Sequence, residues 1–179
     1  MELVPVNWKT YAAFKKLYFA SFPPQEIKPL WMMKSGVRRG RMEMLTLEEN
    51  GFAGLIVTML HGDLVLIDFL AVAGERRGTG VGSRALGLLR ERYPGKRIVL
   101  EIEPPYLPAD NTPQRIKRKA FYERNGFQDT GLKMVNFGNP LDILATGGTV
   151  TCEEVQALIA HVHGKRMYAL ANPHLRVDK

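Results

Sequence analysis

Hydrophobic and polar positions along this chain alternate between a strand period and a helical one. Apolar runs at "ELVPV" (residues 2–6), "RMEMLTLEE" (41–49), "FAGLIVTML" (52–60) and "LVLIDFLAV" (64–72) are short, bounded by turn residues, and read as strands. "NG" at 50–51 and "HGD" at 61–63 separate the last three, which predicts antiparallel hairpins. Helical spacing governs other stretches. Trp8, Tyr11, Phe14, Leu17 and Tyr18 share one helical face behind Asn7 as a cap, predicting a helix through about Phe22 that "FPP" ends. Leu30, Trp31, Met33 and Lys34 predict a second helix before Gly36, and Ala85, Leu86, Leu88, Leu89 and Tyr93 a third, closed by "PG". "KRIVLEIE" alternates, with Ile98, Leu100 and Ile102 on one face and Val99, Glu101 and Glu103 on the other. "NTPQRIKRKAFYERNGF" is a helix from near Pro113 to Asn125-Gly126. "FQDTGLKMVNF" and "LDILATGG" read as a closing strand pair, and Thr151 with Glu154 forms a capping-box pattern for a last helix, "CEEVQALIAHVH". Residues 164–179 are a tail to which the pattern assigns no structure.

Composition narrows the class. With 179 residues, 45% hydrophobic and 24% charged, the chain suits one globular domain, its core over about 1–148 and a C-terminal helix and tail over 149–179. The longest apolar run, Leu64 to Ala73, contains Asp68 and is too short to span a bilayer, and "MELVPVNWKT" lacks a basic region followed by an apolar core. A soluble cytoplasmic protein without a membrane partner is therefore expected. The single Cys152 excludes an internal disulfide framework and a cysteine metal cluster, and His161 and His163 are too close in a helix to share a face, so no metal site is expected. A net charge of +7 suggests anionic partners. Two of the basic blocks, "ERRGTGVGSR" and "RIKRKAFYER", flank what read as ligand-facing turns, which favours a phosphate-bearing cofactor over a nucleic-acid face.

Glycine and arginine crowd the stretch "GERRGTGVGSRAL" (74–86), directly after a buried-looking strand. Glycines let backbone turn sharply and approach a ligand, and Ser83 can start the following helix, so the stretch is a candidate anion cradle. Walker A spacing fails, because no glycine is followed by Lys-Ser/Thr at the required interval. A dinucleotide fingerprint fits locally: Gly80, Gly82 and Ala85 match G-x-G-x-x-A, and Glu101 lies about twenty residues on. The hairpins before the loop count against it, since a doubly wound sheet needs parallel strands.

Arg77-Gly78-Thr79-Gly80-Val81-Gly82 also resembles the R/Q-x-x-G-x-G/A signature of the GNAT superfamily of N-acetyltransferases, with "FLAV" upstream similar to that family's fourth strand. "RKAFYERNGF" resembles the family's second landmark, and the order of elements resembles the GNAT fold from residue 1 to about 148. The resemblance implies a mixed α/β (α+β) fold with a mostly antiparallel sheet of about seven strands flanked by helices. It also implies acetyl-CoA as co-substrate. Residues 77 to 83 (Arg77, Gly78, Thr79, Gly80, Val81, Gly82, Ser83) would hold the pyrophosphate, and the backbone of Leu70, Ala71 and Val72 would pair with the pantetheine arm. Arg76, Arg77 and Arg84 add charge at the rim, and Arg115, Arg118 and Tyr122 fall on one helical stripe, the two arginines on the cofactor side.

Acetyl transfer to an amine needs a neutral nucleophile, a polarised thioester and a proton for the departing thiolate. Tyr122 matches the tyrosine that often supplies that proton in the family. Glu101 and Glu103 stand near a strand end that splays open in GNATs, where a carboxylate accepts an ammonium proton or attracts a cationic substrate. Leu66 occupies the place where some members carry a glutamate base. Asp68, a carboxylate in a buried-looking strand, needs a hydrogen-bond partner or a polar cleft, and Glu26 in "SFPPQEIKP" lies on the family's acceptor side. Convergence of these carboxylates would select a cationic amine of a small molecule or peptide. The C-terminal strands and tail leave room for a homodimer. An NAD(P)-binding oxidoreductase and a non-catalytic CoA-binding module remain the competing readings.

Overall fold

Both hairpin signals are where the chain reverses: Asn50 (φ 52°), Gly51 (φ 104°) and Gly62 (φ 58°) adopt the left-handed conformation that tight turns between strands require. The computed structural model describes residues 1–136, 138–164 and 174–177, and the chain divides into two compact units.

The first unit comprises Met1–Leu60 and Ile67–Pro94. It carries β1 (Glu2–Pro5), α1 (Tyr11–Ser21), α2 (Leu30–Arg38), β2 (Met42–Glu48), all but the last residue of β3 (Phe52–His61), β4 (Leu64–Val72) from Ile67 onward, a short 3-10 turn (Gly74–Arg76) and α3 (Val81–Arg92). The strands lie side by side in chain order, with β1 and β3 antiparallel to β2 and with Leu3 opposite Leu47 and Leu45 opposite Ile56. Phe14 and Tyr18 of α1, Met33 of α2, Leu55 and Val57 of β3, and Leu86 and Leu89 of α3 are fully buried or nearly so.

The start of α1 and the end of α2 differ from expectation. The Asn7 side chain accepts from the Lys9 and Thr10 amides (2.9 and 3.3 Å), closing a turn that keeps Trp8 out of the helix, and α1 starts only at Tyr11. Trp8 therefore leaves the apolar face and stands 84% exposed. α2 runs past Gly36 to Arg38, because that glycine is buried beneath Met42, where a Cβ would meet Sδ at 2.5 Å. The glycine serves close packing and does not stop the helix.

Gly54 of β3 is similarly constrained. A Cβ there would lie 2.5 Å from the Ala71 carbonyl oxygen and 2.8 Å from a Leu47 methyl, and the first obstacle is backbone that cannot rotate away. Gly54→Ala is expected to destabilise the fold by roughly 2 kcal/mol, read as a lower midpoint in urea unfolding.

The second unit comprises His61–Leu66 and the chain from Gly95. It contains β5 (Arg97–Ile102), α4 (Thr112–Arg124), β6 (Gln128–Asn136), β7 (Asn139–Thr146), α5 (Cys152–His163) and β8 (His174–Val177). The strand order is β5-β7-β6-β8, every pair antiparallel. The capping box of α5 is formed, Thr151 Oγ1 accepting from the Glu154 amide and Glu154 from the Thr151 amide. Arg97 bridges Asp63 (2.8 Å) and Glu154 (2.6 Å), tying the β3–β4 turn to the head of α5.

All the expected strands form in a mixed α+β, mostly antiparallel arrangement, and β8 adds one from the region read as a tail. The rest of that tail, residues 165–173 and 178–179, lies outside the described residues. Among the described residues no helix is long and apolar enough to cross a membrane.

Candidate functional site

The stretch after β4 is built around two glycines. Leu70 and Val72 are half-buried with Ala71 buried between them, and the 3-10 turn then leads to Gly78 and Gly80, at φ 79° and 80°. Gly80 is the N-cap of α3, and its carbonyl accepts the first intrahelical bond, from Arg84 at 3.1 Å. The helix thus begins at Val81, two residues before the start expected at Ser83, because the left-handed Gly80 already turns the chain into helical register. The amides of Val81, Gly82 and Ser83 precede the ladder, at the positive end of the helix dipole. Val81 is buried and anchors the turn, whereas Gly78, Thr79, Gly80 and Ser83 are exposed and a Cβ on Gly78 would meet nothing within 4 Å. Free amides, small residues and an open approach are the features that suit a turn to an anion, so it remains the candidate cradle.

The arginines expected at its rim brace it. Arg76 donates to the Glu49 carbonyl at 2.6 Å, and Arg77 Nε to the Val72 carbonyl at 3.2 Å. Arg84 donates to the Thr79 carbonyl at 3.0 Å and pairs with the Glu49 carboxylate at 2.7 Å. Thr79 Oγ1 donates back to the Arg76 carbonyl at 2.8 Å. These bonds hold the turn open while leaving positive charge beside it.

Asp68 of β4 has the partner its burial demands: Lys28 Nζ at 2.6 Å. Lys28 sits on the α1–α2 connection, its backbone clasped by the Tyr18 hydroxyl, which donates to the Lys28 carbonyl and accepts from its amide. Burial pushes the Tyr18 phenol up to about 12, so it stays protonated. Tyr18 and Phe22 pack edge-on to Phe69, at 4.9 and 4.8 Å between ring centres. Glu26 lies exposed in the turn of the same connection.

In the second unit, Glu101 is half-buried on β5 opposite Ile143 of β7, and Glu103 follows the strand end. The structure brings Glu103, Arg115 and Arg118 together. Arg115 pairs with Glu103 Oε1 at 2.7 Å and Arg118 with Oε2 at 3.1 Å, with Asn111 donating to Oε2 at 3.4 Å. Tyr122, one turn beyond Arg118, packs against Phe121 (5.1 Å) and Phe127 (5.7 Å). Burial pushes its phenol up to about 12, and Arg118 offsets only part of that.

One cluster here escaped the sequence reading. Asp142, buried on β7 opposite Ile102 and Lys133, accepts from the Tyr106 hydroxyl at 2.9 Å, and Lys133 donates to the same hydroxyl. The other Asp142 oxygen is buried without a hydrogen-bond partner. Its signal in the sequence was the one that marked Asp68, a lone carboxylate inside an apolar strand, here in "PLDIL".

Burial raises the Asp142 pKa above the ordinary carboxylate value, outweighing the Tyr106 hydrogen bond and Lys133. A raised folded-state pKa contributes stability below the unfolded pKa that is lost as pH rises through the folded one. Asp142→Asn, which cannot ionise, is therefore expected to gain stability relative to the natural chain between acid and neutral pH. Urea unfolding of both at the two pH values checks the sign.

No protein-family model and no curated protein matches this sequence. Solved structures do match. An acetyltransferase assigned to the GNAT family of Bacteroides thetaiotaomicron superposes with a TM-score of 0.72 at 20% identity, covering 94% of this chain and 98% of that one. The chain has the GNAT fold. An aminoglycoside 6'-N-acetyltransferase complexed with coenzyme A shares this GNAT fold at a TM-score of 0.60 and 14% identity, over 82% of this chain and 96% of its own. The ribosomal-protein-S18-alanine N-acetyltransferase of Escherichia coli shares it at 0.59 and 18%, over 84% and 96%. The two motifs behind the sequence resemblance to GNAT enzymes occupy the β4–α3 turn and the end of α4.

Proposed function

We propose that this chain is an N-acetyltransferase that moves the acetyl group of acetyl-CoA to a primary amine of a small molecule or peptide by direct attack in a ternary complex. The observation that carries the reading is the cradle: left-handed Gly78 and Gly80 followed by the amides of Val81, Gly82 and Ser83 ahead of the α3 ladder. Two fold neighbours named above act on amines, and one of them is a coenzyme A complex.

In this reading residues 77 to 83 bind the pyrophosphate, and the β4 backbone at Leu70, Ala71 and Val72 orients the pantetheine arm. Acetyl-CoA supplies an activated acyl group on a thiolate leaving group. Glu101 takes a proton from the incoming ammonium, directly or through water, so that the neutral nitrogen forms the new C–N bond while the C–S bond breaks. Tyr122 donates to the departing sulfur. The balance is an ammonium and a thioester giving an amide, a thiol and one released proton. The Glu103 carboxylate is engaged by Arg115, Arg118 and Asn111, which suits it to positioning those arginines for cofactor phosphate better than to proton transfer. Asp68 is engaged by Lys28, which suits it to holding the α1–α2 connection on the acceptor side more than to drawing in a cationic substrate, a part that falls to the exposed Glu26.

A nicotinamide dinucleotide reading needs the cradle inside a parallel doubly wound sheet, and β1, β2 and β3 pair antiparallel. Thermal shift discriminates: acetyl-CoA and CoA are expected to raise the melting temperature and NAD to leave it unchanged. Stabilisation by NAD alone would overturn the assignment.

A further inference from the structure

The first unit holds a cavity of about 900 Å³, opening where the β1–α1 connection, α2 and β2 meet. None of its lining residues belongs to the cradle or to the residues given roles in acetyl transfer. Its volume is that of a site for a small organic ligand.

The wall is mostly apolar, with Met42, Met44, Leu45 and the aromatic Trp8, Tyr11 and Trp31 in its lining. Trp8 and Trp31 stand 84% and 69% exposed, two large apolar surfaces that folding has left in water. The charges around them are one-sided. Glu43, a carboxylate in the lining, is already matched: Arg92 grips its two oxygens at 2.6 and 3.1 Å, and the Tyr93 hydroxyl donates at 2.6 Å. Lys34 lies 4.0 Å over the Tyr11 ring, a contact that leaves its charge uncancelled. Among the described residues no carboxylate pairs with Arg38. Aromatic walls alone would also suit an organic cation, but two uncompensated positive charges beside them repel one.

We propose that this cavity is a ligand site for a small amphipathic anion, its apolar body held between Trp8 and Trp31 and its single carboxylate on Lys34 and Arg38. The site stands independently of the acetyl-transfer reading, since it uses none of the same residues.

Trp8 and Trp31 are the only two tryptophans of the chain, so its intrinsic tryptophan fluorescence reports on this cavity alone. The probes are decanoate, decanol and decylammonium, titrated into the full chain. Decanoate is expected to give a saturable blue shift as it covers the exposed indoles, decanol to bind about tenfold more weakly for want of the charge contact, and decylammonium to give no shift. The double variant Lys34→Gln/Arg38→Gln, or Arg38→Glu as a second variant, brings decanoate affinity down to that of decanol and leaves the thermal shift with CoA unchanged. No saturable shift with decanoate, an equal response to decylammonium, or unaltered decanoate affinity in the folded variants overturns the proposal. So does a blue shift that grows with protein concentration alone while sedimentation shows a dimer, which would assign the tryptophans to a second copy of the chain.

Discussion

Gly80→Val is expected to abolish the thermal stabilisation by CoA and to lower kcat/KM for acetyl transfer by on the order of a hundredfold. Gly80 caps α3 at φ 80°, a conformation that a β-branched residue adopts only under strain of about 1–3 kcal/mol. Its new Cβ would stand 3.2 Å from the Arg84 guanidinium, which braces the turn through Thr79 and Glu49. Relief of either conflict moves the amides of Val81, Gly82 and Ser83, and an anion held by several aligned donors is sensitive to such movement. Lost stability and lost binding are separable. Gly62, at φ 58° in the β3–β4 turn with nothing within 4 Å of its Cβ position, carries a comparable strain without serving the cradle. Gly62→Val should therefore lower the melting temperature and retain the CoA response. A Gly80→Val protein that binds CoA like the natural chain would remove the cradle from the account.

Tyr122→Phe is expected to lower kcat about a hundredfold, the low end of what a positioned proton donor contributes, with KM for acetyl-CoA nearly unchanged. The low end follows from the phenol itself. At a pKa of about 12 it remains protonated throughout the working range, so the donor is always available. A thiolate with a pKa near 8.5 is a weak base towards such a phenol, which makes the contribution a hydrogen bond to developing negative charge more than complete proton transfer. The pH profile of kcat in the natural chain should consequently show no basic limb from Tyr122 below about 12. Loss confined to KM would identify Tyr122 as a packing residue beside Phe121 and Phe127, and an unchanged rate at all pH values would exclude it as the donor.

Local signals carried most of the architecture. Asn50-Gly51, Gly62 and the Thr151/Glu154 box act over a few residues, and each forms what its sequence prescribes. Two local readings misled for local reasons: Asn7 caps a turn before the helix, which frees Trp8, and Gly36 is small because Met42 lies on it. Pairings between distant residues were not legible. Nothing in a periodicity says that Arg84 finds Glu49, that Arg115 and Arg118 converge on Glu103, or that Lys28 is the partner of Asp68. Those contacts depend on strand order, and such contacts turn Arg76, Arg77 and Arg84 from the rim charges expected into braces of the turn. Asp142 shows the same limit, since only register places it beside Tyr106 and Lys133.

Amine-dependent release of free thiol from acetyl-CoA, measured across polyamines, aminoglycosides and peptides with free N-termini, tests the central claim most directly. At least one amine is expected to give thiol release matched mole for mole by a product heavier by one acetyl group on nitrogen. Coenzyme A binding without thiol release for any amine, or release that ignores the amine and leaves no acetylated product, would contradict it.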